Sequence, residues 1–96
     1  MKKEDEIMDF LHERVFDPVL NSNRHSKEAK RGIRYTIMRI ENRKAEGMIG
    51  YYWSSIYGTE RSIRFSQLLK RENAKRFEDV IDEFRIRFND KWLRSK

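Results

Sequence analysis

Apolar residues recur at spacings of three and four along nearly the whole chain, and little interrupts them. The 96 residues hold one proline and four glycines. A chain so poor in turn formers does not build many short strands joined by tight turns. Apolar side chains repeating at about 100° per residue instead mark helices that share a core. Five such stripes predict an all-α fold, a compact single-domain bundle of four to five helices over approximately 3–16, 27–43, 46–57, 60–72 and 75–93.

The first stripe is Ile7, Met8, Phe10, Leu11 and Val15, behind the early acids Glu4, Asp5 and Glu6 that suit a helix N-terminus. Asp17-Pro18 is expected to end or kink it, because the residue before a proline avoids the helical region. Ser26 is a plausible N-cap for the second helix, whose buried side is Ala29, Ile33, Thr36, Ile37 and Ile40. Gly32 reads as a mild flaw there, costing about 1 kcal/mol against alanine. Met48, Ile49, Tyr52, Trp53 and Ile56 form the third stripe, with Gly58 as a C′ glycine and Thr59 as the next N-cap. Phe65, Leu68 and Leu69 give the fourth. Phe77, Val80, Ile81, Phe84, Phe88 and Trp92 give the fifth. The apolar direction swings by about 110° near Asn73-Ala74, which predicts a break there. Glu78 and Asp79 suit a new helix start, whereas Lys75 and Arg76 do not.

The chain has no cysteine, which removes disulfide staples and thiolate metal sites. No run approaches the roughly 18 apolar residues of a membrane span, and the N-terminus turns acidic where a signal peptide would turn apolar. The expectation is a soluble, untargeted, cytoplasmic protein. The net charge is +6, divided as −3 over residues 1–20 and +8 over residues 21–75. A basic middle behind an acidic first segment points to a polyanion-facing surface.

Lys27, Lys30, Arg31 and Arg34 form a stripe about two turns long on the second helix. Neutralising several phosphates releases counterions and gives salt-dependent affinity without reading sequence. Tyr35 flanks the stripe and could stack on an exposed base. Arg61, Arg64, Lys70 and Arg71 extend the set of phosphate contacts. The competing use of the stripe is internal: Asp5, Asp9, Glu13 and Asp17 recur every four residues and could neutralise it if the first two helices pack antiparallel.

Segments 46–57 and 60–72, joined by Gly58-Thr59, have the order of a helix-turn-helix. The register fails, since Arg64 and Gln67 fall where that motif needs buried apolar residues. The stretch GMIGYYWSSIYG lacks the Gly-Lys-Ser/Thr of a phosphate loop, and its GMIG matches the KH clamp in letters only. LHERVF has Phe16 where a zinc protease motif needs its second histidine, and Asp9, His12 and Glu13 make no complete ligand set. No spacing singles out a catalytic pair. No catalytic residue, metal, cofactor or small-molecule substrate is therefore expected, and the chain reads as a non-enzyme.

A second surface competes with the basic one. Gly47, Gly50 and Ser54 share a side of the third helix beside Tyr51, where small residues admit a close neighbour. Ile86 and Leu93 point away from the fifth stripe. The leading expectation is a helical module binding nucleic acid, DNA or RNA, through the second helix. The alternative is a protein-interaction or homo-oligomeric accessory module using this apolar and small-residue surface. Membrane-surface binding is disfavoured, because the basic helix exposes no Trp or Phe to anchor among headgroups.

Overall fold

The computed structural model describes residues 2–95 and is entirely helical apart from turns and short connections. Helix α1 (Lys3–Leu11) runs through a π-helical turn, His12–Phe16, into α2 (Asp17–Leu20). Helices α3 (Lys27–Ile40), α4 (Ala45–Tyr57) and α5 (Glu60–Arg71) follow. A 3₁₀ turn, Phe77–Val80, leads into α6 (Ile81–Arg87), and α7 (Asp90–Arg94) completes the bundle. The radius of gyration is 13.1 Å, close to the about 12.5 Å expected of a globule this long.

Of the two outcomes expected at Asp17-Pro18, an end or a kink, the helix does not end: Asp17 keeps helical angles (φ −65°, ψ −37°) and the disturbance is the π turn before it. A proline inside a helix lacks an N–H and crowds the carbonyl four residues back. The wider i→i+5 turn just before Pro18 accommodates that crowding, and Pro18 falls in the first turn of α2. The wide turn also inserts one residue, setting back the helical phase by about 100°. Phe16 and Val19 thereby rotate onto the core side and are fully buried, although simple periodicity from Ile7 leaves them off the stripe.

Between α5 and the 3₁₀ turn the chain breaks where the apolar direction swings. Asn73 takes a left-handed conformation (φ 58°). The Ala74 N–H donates to the Leu69 carbonyl (2.9 Å) and the Asn73 N–H to that of Lys70 (3.1 Å). Leu69 and Ala74 are both buried, completing a Schellman cap with its usual apolar contact. Asp79 then accepts from the Arg76 N–H (3.0 Å), so an acid serves the new start as its position suggested. The single helix expected over 75–93 is instead interrupted. Phe88 leaves the helical region (φ −114°, ψ 59°), and the Asn89 side chain caps α7 by accepting from the Trp92 N–H (2.8 Å). An asparagine oxygen that competes for backbone N–H groups is the local cause.

One aromatic core joins these elements. Tyr52 of α4 stacks on Phe84 of α6 (centroids 3.7 Å apart, planes 9° apart) and tilts against Phe77 (4.9 Å). Phe10 of α1 meets Phe84 and Phe88 edge-on at 5.9 and 5.5 Å. The Tyr52 hydroxyl donates to the Phe77 carbonyl, and burial pushes its ionisation well above the ordinary phenol range, with the Glu78 carboxylate adding to the shift. Among the described residues no charged side chain is buried.

Two glycines set how the helices meet. A Cβ on Gly32 would lie 2.2 Å from the Phe65 ring, so the residue that looked like a flaw in α3 is the seat on which α5 rests. Gly58 is not left-handed as a C′ glycine would be (φ −87°). Its Cβ would instead strike the Ser54 carbonyl at 1.9 Å, so the tight α4–α5 connection is what requires glycine. Ser26 and Thr59 cap α3 and α5 as expected, accepting from the Ala29 and Ser62 N–H groups.

Candidate nucleic-acid interface

Seating Phe65 on Gly32 lays α5 beside α3, and the two-residue turn at Gly58-Thr59 folds α4 against their far end. The three helices enclose a cleft of about 850 Å³ between α3 and α5. It continues into a smaller hollow of about 340 Å³ at the α4 end, with Tyr35, Tyr51, Ser55, Arg61 and Ser62 common to both. Five arginines (Arg31, Arg61, Arg64, Arg71 and Arg76) face the larger space against two carboxylates, Glu28 and Glu78. Phe65, Leu68 and Leu69 lie along its α5 wall.

The arginines differ in how free they are. Arg76 is engaged: it bonds Asp79 and donates to the Ser66 hydroxyl (3.1 Å), with Glu78 3.6 Å away. The hydrogen bond to Asp79 holds the guanidinium proton more tightly than usual. Burial alone would raise the Asp79 pKa, but the bonds from Arg76 outweigh it and lower it. Arg64 is paired with Glu60 one turn earlier in α5 (2.5 Å). Among the described residues Arg31, Arg61 and Arg71 make no ion pair, and neither do Lys27, Lys30 and Arg34.

The acidic row therefore does not neutralise the basic stripe. α1 packs its apolar side against α4, leaving Asp5, Asp9 and Glu13 in solvent. Asp17 bonds His12 instead (Nδ1 to Oδ1, 2.9 Å), since the π turn stacks residues five apart on one face. His12 also meets the Phe16 ring edge-on (5.2 Å). Among the described residues no three His, Asp or Glu side chains are grouped as a metal site would need.

The start of α3 is held by a residue distant in sequence. Glu72, at the end of α5, accepts from the Ser26 N–H (2.9 Å) and hydroxyl (2.6 Å), and lies 3.2 Å from His25 Nδ1. The Ser26 side-chain and backbone bonds, with His25 beside them, hold the Glu72 carboxyl below the usual carboxylate range. This clamp fixes α3 against α5 at the Arg31–Arg71 end of the cleft.

Of the nucleic-acid candidates named from sequence, Arg31, Tyr35, Arg61, Arg64 and Arg71 line the cleft. Lys27, Lys30, Arg34 and Lys70 do not line it, although all but the half-buried Lys30 are exposed. Tyr51 lines the cleft and Ser54 the smaller hollow, although the sequence assigned both to a different, partner-binding surface. Gly47 and Gly50 stay outside it, and a Cβ on Gly50 would meet nothing within 4 Å. Ile86 is 75% exposed on α6, whereas Leu93 of α7 packs against the core rather than pointing away from it. Sequence reasoning missed Arg39 and Arg43, whose guanidinium groups lie 6.0 Å from the Tyr35 ring and 5.0 Å from the Tyr51 ring. The i, i+4 spacing from Tyr35 was the available signal for Arg39; Arg43 lies in the turn after α3 and its spacing from Tyr51 gave none.

Comparison with protein-family models, with curated proteins and with solved structures finds no match for this chain. Among the described residues no helix is long and apolar enough to cross a membrane.

Proposed function

We propose that this protein is a small non-enzymatic module that binds nucleic acid through the α3–α5 face. The observation that carries the reading is the convergence of Arg31 from α3 with Arg61, Arg64 and Arg71 from α5 on one cleft, with most of these cations unpaired. Lys27, Lys30, Arg34 and Lys70 extend the same positive field beyond its edge. Guanidinium groups suit phosphate geometry, and an unneutralised cluster of them attracts a polyanion over about 8–10 Å at ordinary salt. The same reading places the protein in the cytoplasm with its target.

Binding of labelled duplex DNA and of RNA across a salt series tests this. Log affinity should fall linearly with log salt, with a slope that counts the phosphates neutralised. Reversing the charge at Lys30, Arg31 and Arg34 together to glutamate should weaken binding and flatten that slope. No binding at low salt would end the reading, as would binding indifferent to the triple reversal.

A second reading, a protein-interaction or homo-oligomeric module, rests on Ile86, exposed on α6, and on the open space above Gly50. Sedimentation at several concentrations separates it: self-association abolished by Ile86→Asp supports it, and a strict monomer unaffected by that change counts against self-association.

A further inference from the structure

The smaller hollow adds something that phosphate binding alone does not use. It is bounded by Tyr35 and Arg39 of α3, Tyr51 and Ser54 of α4, and Arg61 and Ser62 of α5. Both tyrosines carry a planar guanidinium over the ring: Arg61 lies 4.5 Å from the Tyr35 centroid and Arg43 lies 5.0 Å from that of Tyr51. Tyr35 is 38% exposed, so its ring belongs to the surface rather than to the core. Arg43 lies outside the hollow, so it is Tyr35 that presents its face to a flat group inside a concavity whose charged residues, Arg39 and Arg61, are both positive. At about 340 Å³ the hollow falls within the range of roughly 300–1,000 Å³ typical of sites that hold a discrete ligand.

Resting on the nucleic-acid reading above, we propose that the site takes a single strand. An unpaired base stacks on Tyr35 in the hollow, and the flanking phosphates run along the arginines between α3 and α5. The faces of bases inside a duplex are covered by their neighbours, and a tyrosine ring cannot stack on them without flipping a nucleotide out. An unstacked base reaches it directly. The guanidinium–tyrosine contact of Arg61 is a weak one at an exposed site, whereas base–aromatic stacking is stronger. A base therefore displaces Arg61 from Tyr35, and the freed guanidinium turns to the adjacent phosphate. The strand is selected without base-edge readout, because every base has a stacking face.

Fluorescence anisotropy on the intact protein tests this with labelled oligonucleotides of about 12 nucleotides. The probes are single-stranded oligo-dT and oligo-rU, a duplex of equal length, and an abasic strand that keeps the phosphates and lacks the bases. Wild type should bind the single strands at least roughly tenfold tighter than the duplex or the abasic strand. Tyr35→Ala should lose roughly tenfold on the single strands, leave the salt slope unchanged and cause no loss on the abasic strand. Tyr35→Phe should retain wild-type affinity, and circular dichroism of each variant confirms the fold. Equal or tighter duplex binding, with Tyr35→Ala silent on single strands, overturns the single-strand inference and leaves the general nucleic-acid reading standing. Equal losses for Tyr35→Phe and Tyr35→Ala overturn stacking in favour of the hydroxyl. Failure of every probe to bind at low salt overturns both.

Discussion

Gly32 shows how the meaning of a residue depends on its partner. In an isolated helix it is a loss of about 1 kcal/mol against alanine. In this fold it leaves room for the Phe65 ring, which any Cβ would overlap. Gly32→Ala should therefore gain helix propensity and lose the α3–α5 seat, where overpacking typically costs about 1–3 kcal/mol. The net expectation is destabilisation by about 1 kcal/mol. In a Phe65→Ala background the steric conflict is gone, and the same substitution should stabilise by up to about 1 kcal/mol. Denaturant melts of the four proteins in that cycle check the reversal of sign. If Gly32→Ala stabilises both backgrounds, the glycine is no seat.

At the scale of the element, the clamp of Glu72 on His25 and Ser26 ties the end of α5 to the start of α3. A carboxyl whose folded pKa is depressed contributes stability that is present above its unfolded value of about 4.3 and is lost as pH falls through the folded value. The stability difference between wild type and Glu72→Gln should accordingly be present above about pH 5 and shrink below about pH 4. Thermal melts over pH 3–7 measure it, and a difference flat across that window would show that the charge of Glu72 is irrelevant to the clamp. The caps at Ser26 and Thr59 and the break after Arg71 were legible because each is settled within a few residues, by an N-cap oxygen or a swing in the apolar stripe. Pro18 signalled a disturbance near His12–Phe16, but not its form: that the helix widens and continues rather than stops depends on Phe16 and Val19 having a core to enter. The cleft was legible only in halves. Tyr35, Tyr51 and Arg61 come from three helices, and nothing in their spacing says that Gly32 and Gly58 will bring them together.

For the whole molecule, of extents 40 × 26 × 23 Å, the relevant arrangement is how the chain closes. The Lys3 ammonium of α1 donates to the Trp92 carbonyl and to the Ser95 hydroxyl (3.1 Å), and it lies 4.7 Å from the centroid of the Trp92 ring. Arg14 adds a second tie between the two ends of the chain by pairing with Glu83 of α6 (3.2 Å). Residues 3 and 95 are thus within the reach of one lysine side chain, so the path of the backbone is nearly a ring. A ring has no privileged opening. Joining the ends by a short glycine-serine linker and reopening the chain at the exposed stretch 41–44, between α3 and α4, should give a permuted protein that keeps its helical circular dichroism and its cooperative melt. Such a protein would also begin at α4 and end at α3, so the two helices that contribute Tyr51 and Tyr35 to the hollow would be its terminal helices, no longer joined through 41–44. The order in which the chain is synthesised is then incidental to the site, and its assembly depends only on which faces find each other.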